Sequence, residues 1–142
     1  MQAKYKTTLP APFKTMTKKN PQDAGLDICS NEDTFIHPKS SNLISTGLYL
    51  QIPENHVGLI WPRSGLSVNR KIEVGAGCID ASYRGEVKIH LYNFSDDTFI
   101  INVGDRIAQL LTIPVFIQNY EEVDALDKTE RASNGFGSTG IQ

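Results

Sequence analysis

Alternation of apolar and polar side chains with a period of two is the feature that most constrains this chain. In "GLYLQIP", Leu48, Leu50 and Ile52 fall on one side while Tyr49 and Gln51 fall on the other; in "GEVKIHLYN", Val87, Ile89 and Leu91 alternate with Lys88, His90 and Tyr92. Successive side chains of an extended strand point to opposite faces, so each run is expected to be a strand with one core face. "TFIINV" and "RIAQLLTIPVFI" continue the series, the second apolar on both faces and therefore expected at the centre of a sheet. Turn signals such as "SDD" and "VGDR" divide these runs at the short intervals of a sandwich or barrel. "IPENHVGLIWP" reads as two strands joined by a hairpin-type turn at Pro53, Glu54, Asn55 and His56. One short helix is expected at "SGLSVNRK", with Ser64 as its cap.

These readings give one all-β domain over roughly residues 1–118, and 142 residues are enough for a real core but not for two. After Asn119 the pattern stops, and residues 119–142 read as an arm of scattered acids ending in the glycine-rich "RASNGFGSTGIQ". A formal net charge of -2 argues against a broad electrostatic footprint for nucleic acid or an anionic membrane, while leaving room for a local basic pocket. Cys29 and Cys78 have no zinc-ligand spacing and are too few for a disulfide scaffold, which suits a reducing compartment. No apolar run follows the basic residues at the start and none approaches a membrane span, so a cytoplasmic location is expected, or the host's soluble compartment for a viral protein.

Five stretches carry residues suited to chemistry. "PRSGLS" places Arg63 and Ser64 before Gly65 at a helix start, a setting for a phosphate-like anion or simply a hairpin exit with a surface Arg. "GAGCIDASYRGEV" clusters Asp80, Tyr83 and Arg84 between glycines, where Asp80 is a candidate base or a turn cap. "DAGLDICS" and "GDRIAQL" offer Asp27 and Gln109, or plain turn-to-strand junctions. The tail offers Arg131, Phe136, Ser138 and Thr139 among glycines, like a phosphate-cradling loop without the P-loop Lys, or a disordered end.

Taken in order, these five stretches resemble the five motifs of the homotrimeric dUTP diphosphatase (dUTPase) family, and the resemblance spans residues 23–140. It implies a distorted jelly-roll-like β-domain with one short helix and a flexible C-terminal arm, three identical subunits, and active sites built between them. The implied reaction is hydrolysis of dUTP to dUMP and diphosphate, which keeps dUTP low and supplies dUMP for thymidylate synthesis. By resemblance Asp80 is the general base for the attacking water and Tyr83 lies against the deoxyribose. Gly77, Cys78, Ile79 and, on the returning strand, Lys88 read uracil through the backbone of a hairpin. Arg63, Ser64 and Gly65 hold the phosphate chain, Gln109 lies near the α-phosphate, and Asp27 organises the pocket. Mg²⁺ is the implied cofactor, carried by phosphates and water with no protein carboxylate directly on it.

In the arm, the resemblance has Phe136 stack on uracil, Arg131 meet the γ-phosphate, and Gly137, Ser138 and Thr139 add backbone and hydroxyl contacts. Fully extended, residues 119–136 span on the order of 50 Å, enough to cross a neighbouring subunit. Ala132 and Asn134 stand where the family usually has Gly. Arg84 and Arg106 match the family and suit fold or trimer ion pairs, while His37, His56 and His90 match no motif. Trp61 is expected in core or interface packing, and the Cys78 side chain in packing only. No stable nucleic-acid or membrane partner is expected. Two other readings share these residues: a dUTPase-like regulatory protein switched by nucleotide, and a dCTP deaminase-related enzyme, whose members are generally longer and lack this combination of Asp80, Tyr83 and glycine-rich tail.

Overall fold

The alternating runs form strands of two four-stranded antiparallel sheets whose apolar faces meet in one core, except "TFIINV", which lies in a separate two-stranded sheet. The computed structural model describes residues 2–130 and 132–133. Its strands are β1 (Lys4–Thr7), β2 (Leu26–Cys29), β3 (Thr34–Ile36), β4 (Ser40–Gln51), β5 (His56–Trp61), β6 (Ile72–Val74), β7 (Cys78–Ile79), β8 (Glu86–Asn93), β9 (Phe99–Ile101) and β10 (Arg106–Pro114), with helix α1 at Ser64–Arg70. One sheet has the order β1-β4-β8-β6, the other β2-β10-β5-β7, and β3 pairs with β9. The fold is thus the expected all-β domain with one short helix, and no described helix is long and apolar enough to cross a membrane.

The alternation of β8 is realised in space: Val87, Ile89 and Leu91 are buried while Lys88 and Tyr92 are exposed. They meet Ile44, Leu48 and Leu50 of β4 and, from the opposite sheet, Ile28, Ile60, Ala108 and Leu110. Burying an aliphatic side chain of this size stabilises by about 1.5–3 kcal/mol, so this cluster is the main source of cohesion. β10 lies between β2 and β5, the central place its composition predicts. Its last residue is Pro114, and Val115 N–H still donates to Asn55 O at 2.8 Å. Residues 116–130 form no strand or helix and are exposed.

Two local expectations are overturned. The turn at Pro53–His56 does not close a hairpin, because β4 belongs to one sheet and β5 to the other. With Leu48, Leu50 and Ile52 buried on one side and Ile60 on the other, the chain must change sheets at this turn. Nor does Ser64 cap α1: Arg63 takes the extended cap conformation, and its carbonyl accepts from Leu66 N–H (3.0 Å) and Ser67 N–H (2.9 Å). Ser64 is therefore the first helical residue.

β4 carries an irregularity between Ile44 and Leu48, where Gly47 has φ +61°. The Glu86 carboxylate holds it together, accepting from Gly47 N–H (2.9 Å), Thr46 N–H (3.2 Å) and the Ser45 hydroxyl. Burial pushes the Glu86 carboxyl up, but the bonds from Ser45, Gly47 and Thr46, with the Lys88 charge, outweigh it and leave the group below its ordinary 4.5. A depressed carboxyl contributes stability that is complete above its unfolded value and is lost as pH falls through the folded one. Glu86→Gln should therefore lower the unfolding free energy by about 1 kcal/mol at neutral pH. In urea titrations the gap between parent and variant should close as the pH is taken below 4.5; a gap that does not depend on pH would count against the carboxylate.

Candidate active site

Strand register brings three motif residues into one row. Gln109 on β10 lies opposite Asp27 on β2 and Trp61 on β5. Their neighbours Ile28, Ala108 and Ile60 point into the core, so this row faces outward. Asp27 Oδ1 accepts from Arg63 Nε at 3.0 Å and Oδ2 from Arg106 Nη1 at 3.2 Å. One carboxylate thus orients two guanidinium groups and leaves one positive charge in excess. Gln109 Nε2 donates to Pro62 O at 2.9 Å, tying β10 to the segment that carries Arg63. A Cβ at residue 25 would collide with Gln109 Oε1, so Gly25 is what allows this close approach.

A cleft of about 560 Å³ opens over the row, walled by Lys19, Trp61, Arg63, Ser64, Gly65 and Gln109. The Ser64 hydroxyl makes no hydrogen bond to another described residue, and a side chain at Gly65 would meet nothing within 4 Å. Trp61 is 56% exposed and forms a wall of this cleft, so of the core or interface packing expected for it the core is excluded. Arg106 takes the fold ion pair expected of it, although sequence alone did not reveal Asp27 as the shared partner.

The second cleft, of about 440 Å³, is lined by Cys78, Asp80, Tyr83, Glu86 and Lys88 among others. β7 pairs with β5 at the edge of its sheet, whereas β8 belongs to the other sheet, so the hairpin expected here is a crossover. Asp80 stands where the chain leaves one sheet for the other and is exposed. Gly77 O accepts from Ile60 N–H at 2.8 Å, and a Cβ at Gly77 would come within 2.9 Å of Ile60 O. Tyr83 OH donates to Glu86 O at 2.9 Å, and its ring lies over Gly85. Arg84 Nη1 donates to Ala81 O (2.6 Å) and Tyr83 O (2.7 Å), stapling the turn. Cys78 is exposed and free, contrary to the packing role expected, because its edge strand has no cover on that side. Glu86 and Lys19 are cleft residues that motif reading missed; the adjacent pair Lys18 and Lys19 ahead of "DAGLD" was the available signal for the latter.

The structure does not bring the two groups together within one chain. The clefts share no lining residue. β7 and β5 pair Ile79 with Gly58, which puts Asp80 level with Val57. Arg63 lies six residues further along that strand direction, on the order of 20 Å at ~3.3 Å per residue. Among the described residues no three of His, Cys, Asp and Glu gather as a metal cage. Arg131, Phe136, Gly137, Ser138 and Thr139 lie outside the described residues.

Comparison with known proteins agrees along most of the chain. The dUTPase family profile matches residues 11–140. Avian adenovirus 8 deoxyuridine 5'-triphosphate nucleotidohydrolase is 50% identical over 117 residues, 82% of this chain and 72% of that protein. Among solved structures, the Staphylococcus bacteriophage 80alpha dUTPase with dUPNHPP superposes with a TM-score of 0.87 at 28% identity, covering 99% of each chain. A mutant dUTPase from phage phi11 of S. aureus, described with a coordinated structural Mg(II) ion, gives a TM-score of 0.80 at 25% identity over 90% of this chain and 100% of that one.

The shared carboxylate generates a prediction of its own. Asp27→Asn would leave two guanidinium groups facing each other with a neutral partner, and should cost about 2 kcal/mol of stability, measured as a lower urea midpoint. The deficit should shrink in high salt, which screens the repulsion between Arg63 and Arg106.

Proposed function

This chain belongs to the dUTPase family, and from that premise we propose that it hydrolyses dUTP to dUMP and diphosphate, which limits dUTP and supplies dUMP for thymidylate synthesis. The observation that carries the reading is the pair of clefts. One has a solvent-facing carboxylate beside an edge strand, and the other has Arg63, Ser64 and Gln109 around an excess positive charge. Asp80 orients a water and takes its proton as the water oxygen bonds to the α-phosphorus; the bond to the bridging oxygen breaks, and its electron pair leaves with diphosphate. A carboxylate is a weak base, so positioning supplies much of the rate.

Uracil is read by the backbone groups around Gly77, Cys78 and Ile79 that pairing with β5 leaves open, with Lys88 on β8 beside them. An edge strand keeps unpaired N–H and C=O groups of fixed polarity, and cytosine would mismatch them. Tyr83, held by its bond to Glu86 O, closes the sugar side against a ribose 2′-hydroxyl. Arg63, Ser64, Gly65 and Gln109 hold the phosphates. Mg²⁺, carried by the phosphates and water, would supply charge neutralisation when bound. It suits this donor set, because Asp27 is already committed to two arginines. Arg131, Phe136, Gly137, Ser138 and Thr139 complete the site as a lid from the arm. A reducing cytoplasm, or the equivalent host compartment, suits the free thiols Cys29 and Cys78.

A homotrimer with shared sites joins the proposal. A nucleotide whose phosphates rest on Arg63 cannot present its α-phosphorus to Asp80 of the same chain across on the order of 20 Å. A second copy can bring its own Asp80 cleft to the phosphate cleft of the first.

The direct test is diphosphate release with Mg²⁺ from dUTP, dCTP, dTTP and UTP. Release selective for dUTP is expected, with Asp80→Asn slower by about a thousandfold and nucleotide binding retained. Near-parental turnover in Asp80→Asn would remove the base, deamination of dCTP would favour the deaminase reading, and binding without turnover the regulatory one. Sharing is tested by co-refolding two inactive variants, Asp80→Asn and Arg63→Ala. Random assembly should restore about a quarter of the sites, because a site drawing one cleft from each parent is intact. Activity that stays at the level of the separate variants would place each site within one chain.

A further inference from the structure

Four cations line the phosphate cleft, and all but one are engaged with other described residues. Arg63 and Arg106 share Asp27 at 3.0 and 3.2 Å. Lys18 Nζ donates to Pro21 O at 2.6 Å and to Asp23 O at 3.4 Å. Asp23, the other acid of the cleft, directs its carboxylate to Asn20, accepting from the backbone N–H at 2.8 Å and the side-chain amide at 3.3 Å. Lys19 has no carboxylate or carbonyl partner among the described residues. Two acids against four cations make this cleft locally basic in a chain of net charge -2.

The loop that bears Lys19 is anchored rather than loose. Asp27 N–H donates to Thr17 O and Met16 N–H to Asp27 O, both at 2.7 Å, closing the loop at its base. Its tip is closed by Asp23 N–H on Asn20 O at 3.1 Å. Lys19 is thus two residues from a backbone pair made by the same Asp27 whose carboxylate orients Arg63. A cation placed by such a frame meets an anionic ligand with less reorganisation than one on a free loop.

We propose that Lys19 is a binding residue for the outer phosphates of the nucleotide, and that it favours a polyphosphate chain over a monophosphate in this cleft. The identity of the nucleotide rests on the dUTPase reading; the polyphosphate preference rests on the cleft itself. Arg63 and Gln109 are tied to Asp27 and Pro62, and Lys19, with no carboxylate or carbonyl partner among the described residues, supplies the charge for the end of the chain. An ammonium suits that role, acting as a point charge without a fixed fork.

Inorganic pyrophosphate is the probe, titrated calorimetrically or by the fluorescence of Trp61, the one tryptophan of the chain and a wall of this cleft. Lys19→Ala should weaken pyrophosphate binding about five- to tenfold and Lys19→Arg should restore most of it, while dUMP binding is unchanged. The KM for dUTP should rise by a similar factor in Lys19→Ala, with kcat falling less. Equal pyrophosphate affinity in parent and Lys19→Ala, a loss that Arg does not rescue, or no pyrophosphate binding by the parent would each overturn the proposal. The titration needs no turnover, so a chain that binds pyrophosphate through Lys19 yet leaves dUTP intact would sink the proposed reaction and keep this inference.

Discussion

Burial of one face of each sheet against the other sets the position of everything that can do chemistry here. On β10, Ala108 and Leu110 are buried with Ile28 of β2 and Ile60 of β5. With a side-chain period of two, that inward commitment forces Asp27, Gln109 and Trp61 outward together. A slip of one residue between β10 and its neighbours would bury the polar row and expose the apolar one. The pairing register shifts between Arg106 and Ala108, where Ile107 is the extra residue. Ile107 and Ala108 are both buried while Arg106 reaches out to Asp27. The ion-pair group that orients Arg63 therefore depends on a packing irregularity in the neighbouring strand, and a bulge is how a sheet re-aims a side chain without losing its core.

Much of this was legible in the sequence, and the limits follow from physics. The alternations over Leu48–Ile52 and Val87–Leu91 identify strands and their buried faces, because period and burial are both local properties of a strand. Which strand pairs with which is not local. The turn at Pro53–His56 has the composition of a hairpin, yet the strands it joins lie in different sheets, and so do those flanking Asp80. Turn residues report a reversal of direction; only the partners of the flanking faces decide between a hairpin and a crossover. Ser64 shows a similar limit at the scale of one residue. Ser is a favoured cap, but the extended conformation at Arg63 puts the cap one residue earlier.

At the candidate site, motif order pointed to the residues and the resemblance to sites built between subunits, but not to which residues share a cleft. The resemblance implies sites built between subunits, and in a single chain the described stretches fall into a carboxylate cleft and a cationic cleft. The partnership of Asp27 with both Arg63 and Arg106 joins residues far apart in sequence through strands that alternation alone cannot pair. The same holds for Glu86, which reads as an ordinary polar position at a strand start. In the fold its carboxylate closes the β4 irregularity and its carbonyl holds Tyr83, so one residue supports both the sheet and the sugar wall.

The proposed division of the site between chains changes what assembly is for. Leu43 in the carboxylate cleft, Trp61 in the cationic cleft and Ile113 on the outer side of β10 are exposed in the single chain. Covering each with a partner copy would stabilise by up to about 1.5–3 kcal/mol, and in the proposed assembly such contacts would also dry the clefts. Electrostatic attraction of phosphates to Arg63, and orientation of a water by Asp80, both strengthen as bulk water leaves. In a lone chain each half remains open to solvent, and Asp80 has no phosphate within reach. Under the proposed sharing, hydrolysis is confined to the assembled state, and dilution below the assembly threshold would remove activity before it removes the fold.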